Sequence, residues 1–79
     1  MAKWVLYHTQ GCHLCEDAEQ LINNALKNKN DLLLTDIMTD EQLITEYQMC
    51  IPVLKSKQGK QLFWPFTSQI VHEFLAQTE

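Results

Sequence analysis

The amino-acid sequence predicts an α/β fold: a four-stranded mixed sheet flanked by helices, in the order β-α-β-α-β-β-α. Three observations carry this expectation. Four apolar runs too short for helices, Trp4–Tyr7, Leu32–Leu34, Ile51–Leu54 and Leu62–Trp64, stand between polar or turn-forming residues. After the first run, and again after the fourth, apolar residues recur at helical spacing. The link between the last two runs carries Gly59, which suits the positive φ of a hairpin turn.

Taken in order, Trp4-Val5-Leu6-Tyr7 is aromatic and β-branched and reads as a buried strand. Leu14, Ala18, Leu21, Ile22 and Ala25 then line one helical face, predicting a helix from Cys12 to Leu26 that stops in Lys27-Asn28-Lys29-Asn30. Leu32–Leu34 reads as a second strand, parallel to the first because a helix crosses between them. Thr39-Asp40-Glu41-Gln42 fits a capping box with Thr39 as the cap, and a short helix through Leu43, Ile44 and Tyr47 should follow. Ile51–Leu54 is expected as the third strand, with Pro52 at its start because proline donates nothing to a ladder. Leu62–Trp64 makes the fourth strand. A last helix from Thr67 to Gln77 should bury Ile70, Val71, Phe74 and Leu75.

Composition narrows the function. The chain has 79 residues, enough for one domain, here 1–79, and its 46% hydrophobic content is ordinary for a globular protein. Its net charge is −4, and all six cations are lysines. Without arginine or a basic stripe, nucleic acid is a poor partner. No apolar run approaches the roughly 20 residues of a membrane span, and no secretory leader is visible, so a cytoplasmic location and no membrane partner are expected. The chain is expected to be a monomer.

Two of the three cysteines sit three apart, as Cys12-His13-Leu14-Cys15. Such a pair is a redox dithiol, half of a metal site, or coincidence. Its place between a strand and a helix start favours the first. Free amides and the positive end of the helix dipole stabilise a thiolate on Cys12, whereas Cys15 lies one turn further in and should be more buried. Cys12 would attack a disulfide and Cys15 would resolve the mixed disulfide. Glu16, Asp17 and Glu19 oppose a second negative charge at this helix start, so the sequence predicts a reducing pair rather than a strongly oxidising one.

The strand leading into Cys12-x-x-Cys15, the second strand ending at Asp36-Ile37, the capped helix ending near Tyr47 and the segment Ile51-Pro52-Val53-Leu54 together resemble the thioredoxin superfamily, most closely its short glutaredoxin-like proteins. The resemblance covers nearly the whole chain. It implies that Pro52 is a cis-proline facing the dithiol and that the backbone of Ile51 pairs with an extended substrate. It implies thiol-disulfide exchange with protein or glutathione disulfides, electrons from glutathione or a reductase, and no tightly bound cofactor. The sequence departs from glutaredoxins at three places. Thr9-Gln10 stand where a lysine is common, His13-Leu14 replace Pro-Tyr, and Trp64-Pro65-Phe66 replace a Gly-Gly and aspartate, leaving Thr67 and Ser68 as hydroxyl donors there.

Other residues have plainer readings. Cys50 reads as a buried small hydrophobe that lies near the dithiol, and His8 and His13 as solvated loop residues that flank the site and would modulate it only as proton carriers. His72 is read as inert, and Trp64, Phe66 and Phe74 as core or its rim. Two alternatives to an oxidoreductase stay open. One is a zinc or iron–sulfur carrier using Cys12, Cys15 and Cys50 with His8 or His13, although closed structural zinc normally takes four ligands and only three cysteines exist. The other is a redox-inert binding module of the same fold.

Overall fold

The structure is a computed structural model that describes residues 2–79. Its elements follow the expected order: β1 (Trp4–His8), α1 (His13–Ala25), β2 (Leu32–Asp36), α2 (Glu41–Tyr47), β3 (Val53–Ser56), β4 (Gln61–Phe63) and α3 (Ser68–Thr78). Short 3-10 turns precede β2, at Lys29–Asp31, and follow it, at Ile37–Thr39. The sheet order is β2-β1-β3-β4, with β1 parallel to β2 and antiparallel to β3, and β3 antiparallel to β4.

Alternation along the central strands builds two cores. Trp4 and Leu6 of β1 and Leu54 of β3 face α1 and α3, where they meet Ala18, Ile22, Val71, Phe74 and Leu75. Tyr7 and Val53 turn to the opposite face, against Ile37 and Tyr47. Register explains the match, since Leu6 pairs with Leu54 and Tyr7 with Val53. Burying each such side chain is worth about 1.5–3 kcal/mol, so both faces hold the central strands in place. The end of α3 is tied to β1 by a hydrogen bond. Trp4 Nε1 donates to Thr78 Oγ1 (2.8 Å), and that hydroxyl donates to the Phe74 carbonyl (2.7 Å).

Four expectations need correction. The α2 cap is Asp40, whose Oδ1 accepts from the Gln42 amide at 2.8 Å. Thr39 closes the preceding turn instead, its hydroxyl donating to the Asp36 carbonyl at 2.7 Å. The third strand begins at Val53, after Ile51 and Pro52, because Pro52 has no amide to give the ladder. Ile70 is exposed, and Thr78 completes the buried stripe of α3. Cys50 is exposed rather than buried.

Candidate functional site

The β1 strand ends at His8, and the chain turns through Gly11 before α1 begins. Gly11 has φ +79°, with open space around a would-be Cβ, so the backbone conformation and not crowding calls for glycine. Cys12 follows as the N-cap of α1, with extended backbone (φ −91°, ψ 104°). Its Sγ accepts a hydrogen bond from the Cys15 amide at 3.1 Å, and its carbonyl accepts the first helical bond, from Glu16. Sulfur thus takes the place of the usual hydroxyl or carboxylate cap.

Cys15, one turn in, is 3% exposed. Its Cα lies 5.2 Å from that of Cys12, and the two sulfurs are bonded as a disulfide. This separation lies within the range a disulfide bridges without moving the backbone. The oxidised pair has one half-buried member at the helix start and one buried member inside.

Ile51 and Pro52 lie where β3 begins, and Val53 is paired with Tyr7 at the dithiol end of β1. The Ile51–Pro52 peptide is cis, as is Trp64–Pro65. Pro52 is fully buried. The Ile51 amide already donates to the Tyr47 carbonyl at 3.1 Å, so backbone pairing with a bound chain would fall to the Ile51 carbonyl. Thr67 and Ser68 serve α3 first. Thr67 Oγ1 caps it through the Ile70 amide at 3.2 Å, and Ser68 offers its carbonyl to His72 Nδ1 at 2.8 Å.

The histidines divide. His8 is half-buried at the end of β1, opposite Asp36 of β2. His13 projects into solvent, 96% exposed, with Nδ1 3.7 Å from Glu16 Oε2. Among the described residues no three His, Cys, Asp or Glu side chains stand close enough to hold a metal ion, so Cys12, Cys15, Cys50 and the histidines do not form the ligand set considered above. Two surface hollows, along α2 at Glu41, Gln42, Thr45 and Glu46 and beside the end of α3 at Trp4, Leu75 and Glu79, do not touch the dithiol.

Sequence reasoning missed the aromatic support beneath this end of the sheet. Tyr47 stacks on Tyr7 with ring centroids 4.5 Å apart and planes 15° from parallel. Its hydroxyl accepts from Gln61 Nε2 at 2.6 Å, and burial raises its pKa above the ordinary 10.0. Tyrosines forty residues apart carry no local signal of pairing. Only the register of β1 and the return of α2 bring them together.

A strand, a cysteine cap, a buried partner and a proline-led third strand agree with a family comparison. The family model described as "Glutaredoxin-like domain (DUF836)" matches residues 3–76. The chain belongs to this glutaredoxin-like family. Among solved structures it is similar to the target protein XcR50 from X. campestris, determined by X-ray diffraction, with 28% identity and a TM-score of 0.86 over 96% of this chain and 99% of that one. The solution structure of the same protein gives 27% identity and a TM-score of 0.86 over 98% and 96%. Protein Ne2328 from Nitrosomonas europaea matches with 29% identity and a TM-score of 0.68 over 91% and 88%. No curated protein is significantly similar in sequence.

Proposed function

We propose that this glutaredoxin-like chain is a thiol-disulfide oxidoreductase that reduces disulfides with Cys12 as nucleophile and Cys15 as resolving thiol. The single observation that carries the reading is the hydrogen bond from the Cys15 amide to Cys12 Sγ, at the start of a 13-residue helix. A donor and a helix dipole aimed at one sulfur favour its thiolate, which is the attacking species.

In the reduced protein the Cys12 thiolate attacks one sulfur of a client disulfide. A Cys12–client bond forms, the client S–S bond breaks, and the released client thiolate takes a proton. Cys15 then loses its proton and attacks Cys12 Sγ, freeing the second client thiol and closing the Cys12–Cys15 disulfide. The client gains two electrons and two protons, and the protein loses them. A small thiol such as glutathione, or the dithiol of a protein reductase, restores the reduced pair. Electrons move through sulfur alone, so the cycle needs no bound cofactor, and it suits a monomer in the reducing cytoplasm. Among the described residues no helix is long and apolar enough to cross a membrane.

The Cys12→Ser variant tests the reading, because serine keeps the helix cap while removing the nucleophile. Disulfide reductase activity should fall by more than about 100-fold, the order of loss that follows removal of a nucleophile, with helix content unchanged by circular dichroism. Retention of most of the activity would refute the mechanism.

A further inference from the structure

The lysines are confined to one end of the molecule, where Asp31 and Glu79 also lie, Glu79 paired with Lys3, and strand register settles which end each residue occupies. β1 runs toward the dithiol, from Trp4 to His8, while β3 runs away from it, from Val53 opposite Tyr7 to Ser56 opposite Trp4. Lys3 precedes β1, and its amide donates to the Asp31 carbonyl. Lys27 and Lys29 follow α1 on the way to that same end, Lys57 and Lys60 lie in the turn after β3, and Lys55 is paired with Val5. All six cations therefore lie in the half remote from Cys12.

Five of the ten carboxylates lie toward the other end. Glu16 and Asp17 continue the helix directly after Cys15, Asp36 ends β2 opposite His8, and Asp40 and Glu41 open α2 just beyond it. Large apolar side chains are exposed at this end too. Leu14 lies between the two cysteines at 48% exposure, Phe63 ends β4 opposite Val53 at 48%, and Met49 precedes Pro52 at 91%.

We propose that the preferred clients of the dithiol are polypeptides whose disulfide is flanked by cationic and apolar residues, an inference that rests on the oxidoreductase reading above. Carboxylates at the dithiol end raise the local concentration of positive partners and repel negative ones, over a Debye length of about 8 Å. The exposed Leu14, Phe63 and Met49 offer apolar contact to a polypeptide. An anionic small disulfide, such as that of glutathione, meets repulsion, and no lysine lies at this end to hold its carboxylates. The chemistry is the same balanced exchange for every client. Selectivity arises in the encounter, so it depends on salt.

The test uses reduced full-length protein and three cyclic peptides of one length, each closed by a single cystine flanked by Lys, Ser or Glu. Each rate of reduction is divided by that of dithiothreitol on the same peptide, which removes the peptide's own reactivity. At low ionic strength the Lys-flanked peptide should be reduced about tenfold faster than the Glu-flanked one, with the ratio shrinking several-fold in high salt. The triple variant Glu16→Gln, Asp17→Asn, Asp36→Asn should also lower the ratio, and asparagine at 36 can still cap the Ile37–Thr39 turn. Equal ratios for Lys and Glu peptides, with the Ser-flanked peptide reduced efficiently, would overturn the inference and leave the oxidoreductase reading standing. No reduction of the Ser-flanked peptide beyond the rate of an unstructured cysteine peptide would overturn both.

Discussion

At Cys12 one sulfur caps α1 and is the proposed point of attack, so on that reading the backbone that starts the helix would also prepare the nucleophile. Tyr47 is a residue whose chemistry its surroundings have changed. Burial is the largest cause of its raised pKa, with Glu46 adding to it and Lys55 opposing it. The folded state therefore keeps the Tyr47 proton to higher pH than the unfolded chain, which releases it near 10.0. Between those two values the folded state binds more protons, so stability is complete below pH 10 and is lost as pH climbs through the folded value. Urea midpoints measured at neutral and strongly alkaline pH should fall less for Tyr47→Phe than for the wild type. An equal fall in both would contradict this account of Tyr47. At neutral pH the same variant should lose about 0.5–1.5 kcal/mol with the Gln61 hydrogen bond.

Two contacts decide the placement of helices. Asp40, and not Thr39, caps α2, so Asp40→Ala should cost about 1 kcal/mol in chemical denaturation while Thr39→Ala costs less. The reverse order would restore the capping box that the sequence suggests. At the far end, Thr78→Val leaves the buried Trp4 Nε1–H without its acceptor and should cost about 1–3 kcal/mol, despite the matched shape of valine. A variant within experimental error of the wild type would mean that the indole finds another partner. The shift of the cap from Thr39 to Asp40 has a physical cause. Asp36 Oδ1 accepts from the Met38 amide and the Asp36 carbonyl from Thr39 Oγ1, so Thr39 belongs to the preceding turn, and Asp40, the extended residue that follows it, becomes the cap.

For the molecule as a whole, the Cα radius of gyration of 11.6 Å equals the about 11.6 Å expected of a compact 79-residue chain. That leaves little room for anything beyond one sheet, two cores and one dithiol end. Element order was legible because each apolar run and helical face is a local pattern. The fates of Cys50 and Ile70 were not, since exposure depends on what packs above a residue, and nothing local marks that. The shared placement of the lysines was equally hidden, because those at 3, 27, 55 and 60 come to one end only through strand register. The central claim is that Cys12 attacks although a second thiol, Cys50, is exposed. Mass spectrometry of the reduced Cys15→Ser protein, mixed with a disulfide peptide and digested, tests it most directly. The account predicts a single peptide adduct trapped on Cys12; an adduct chiefly on Cys50, or none on Cys12, would contradict it.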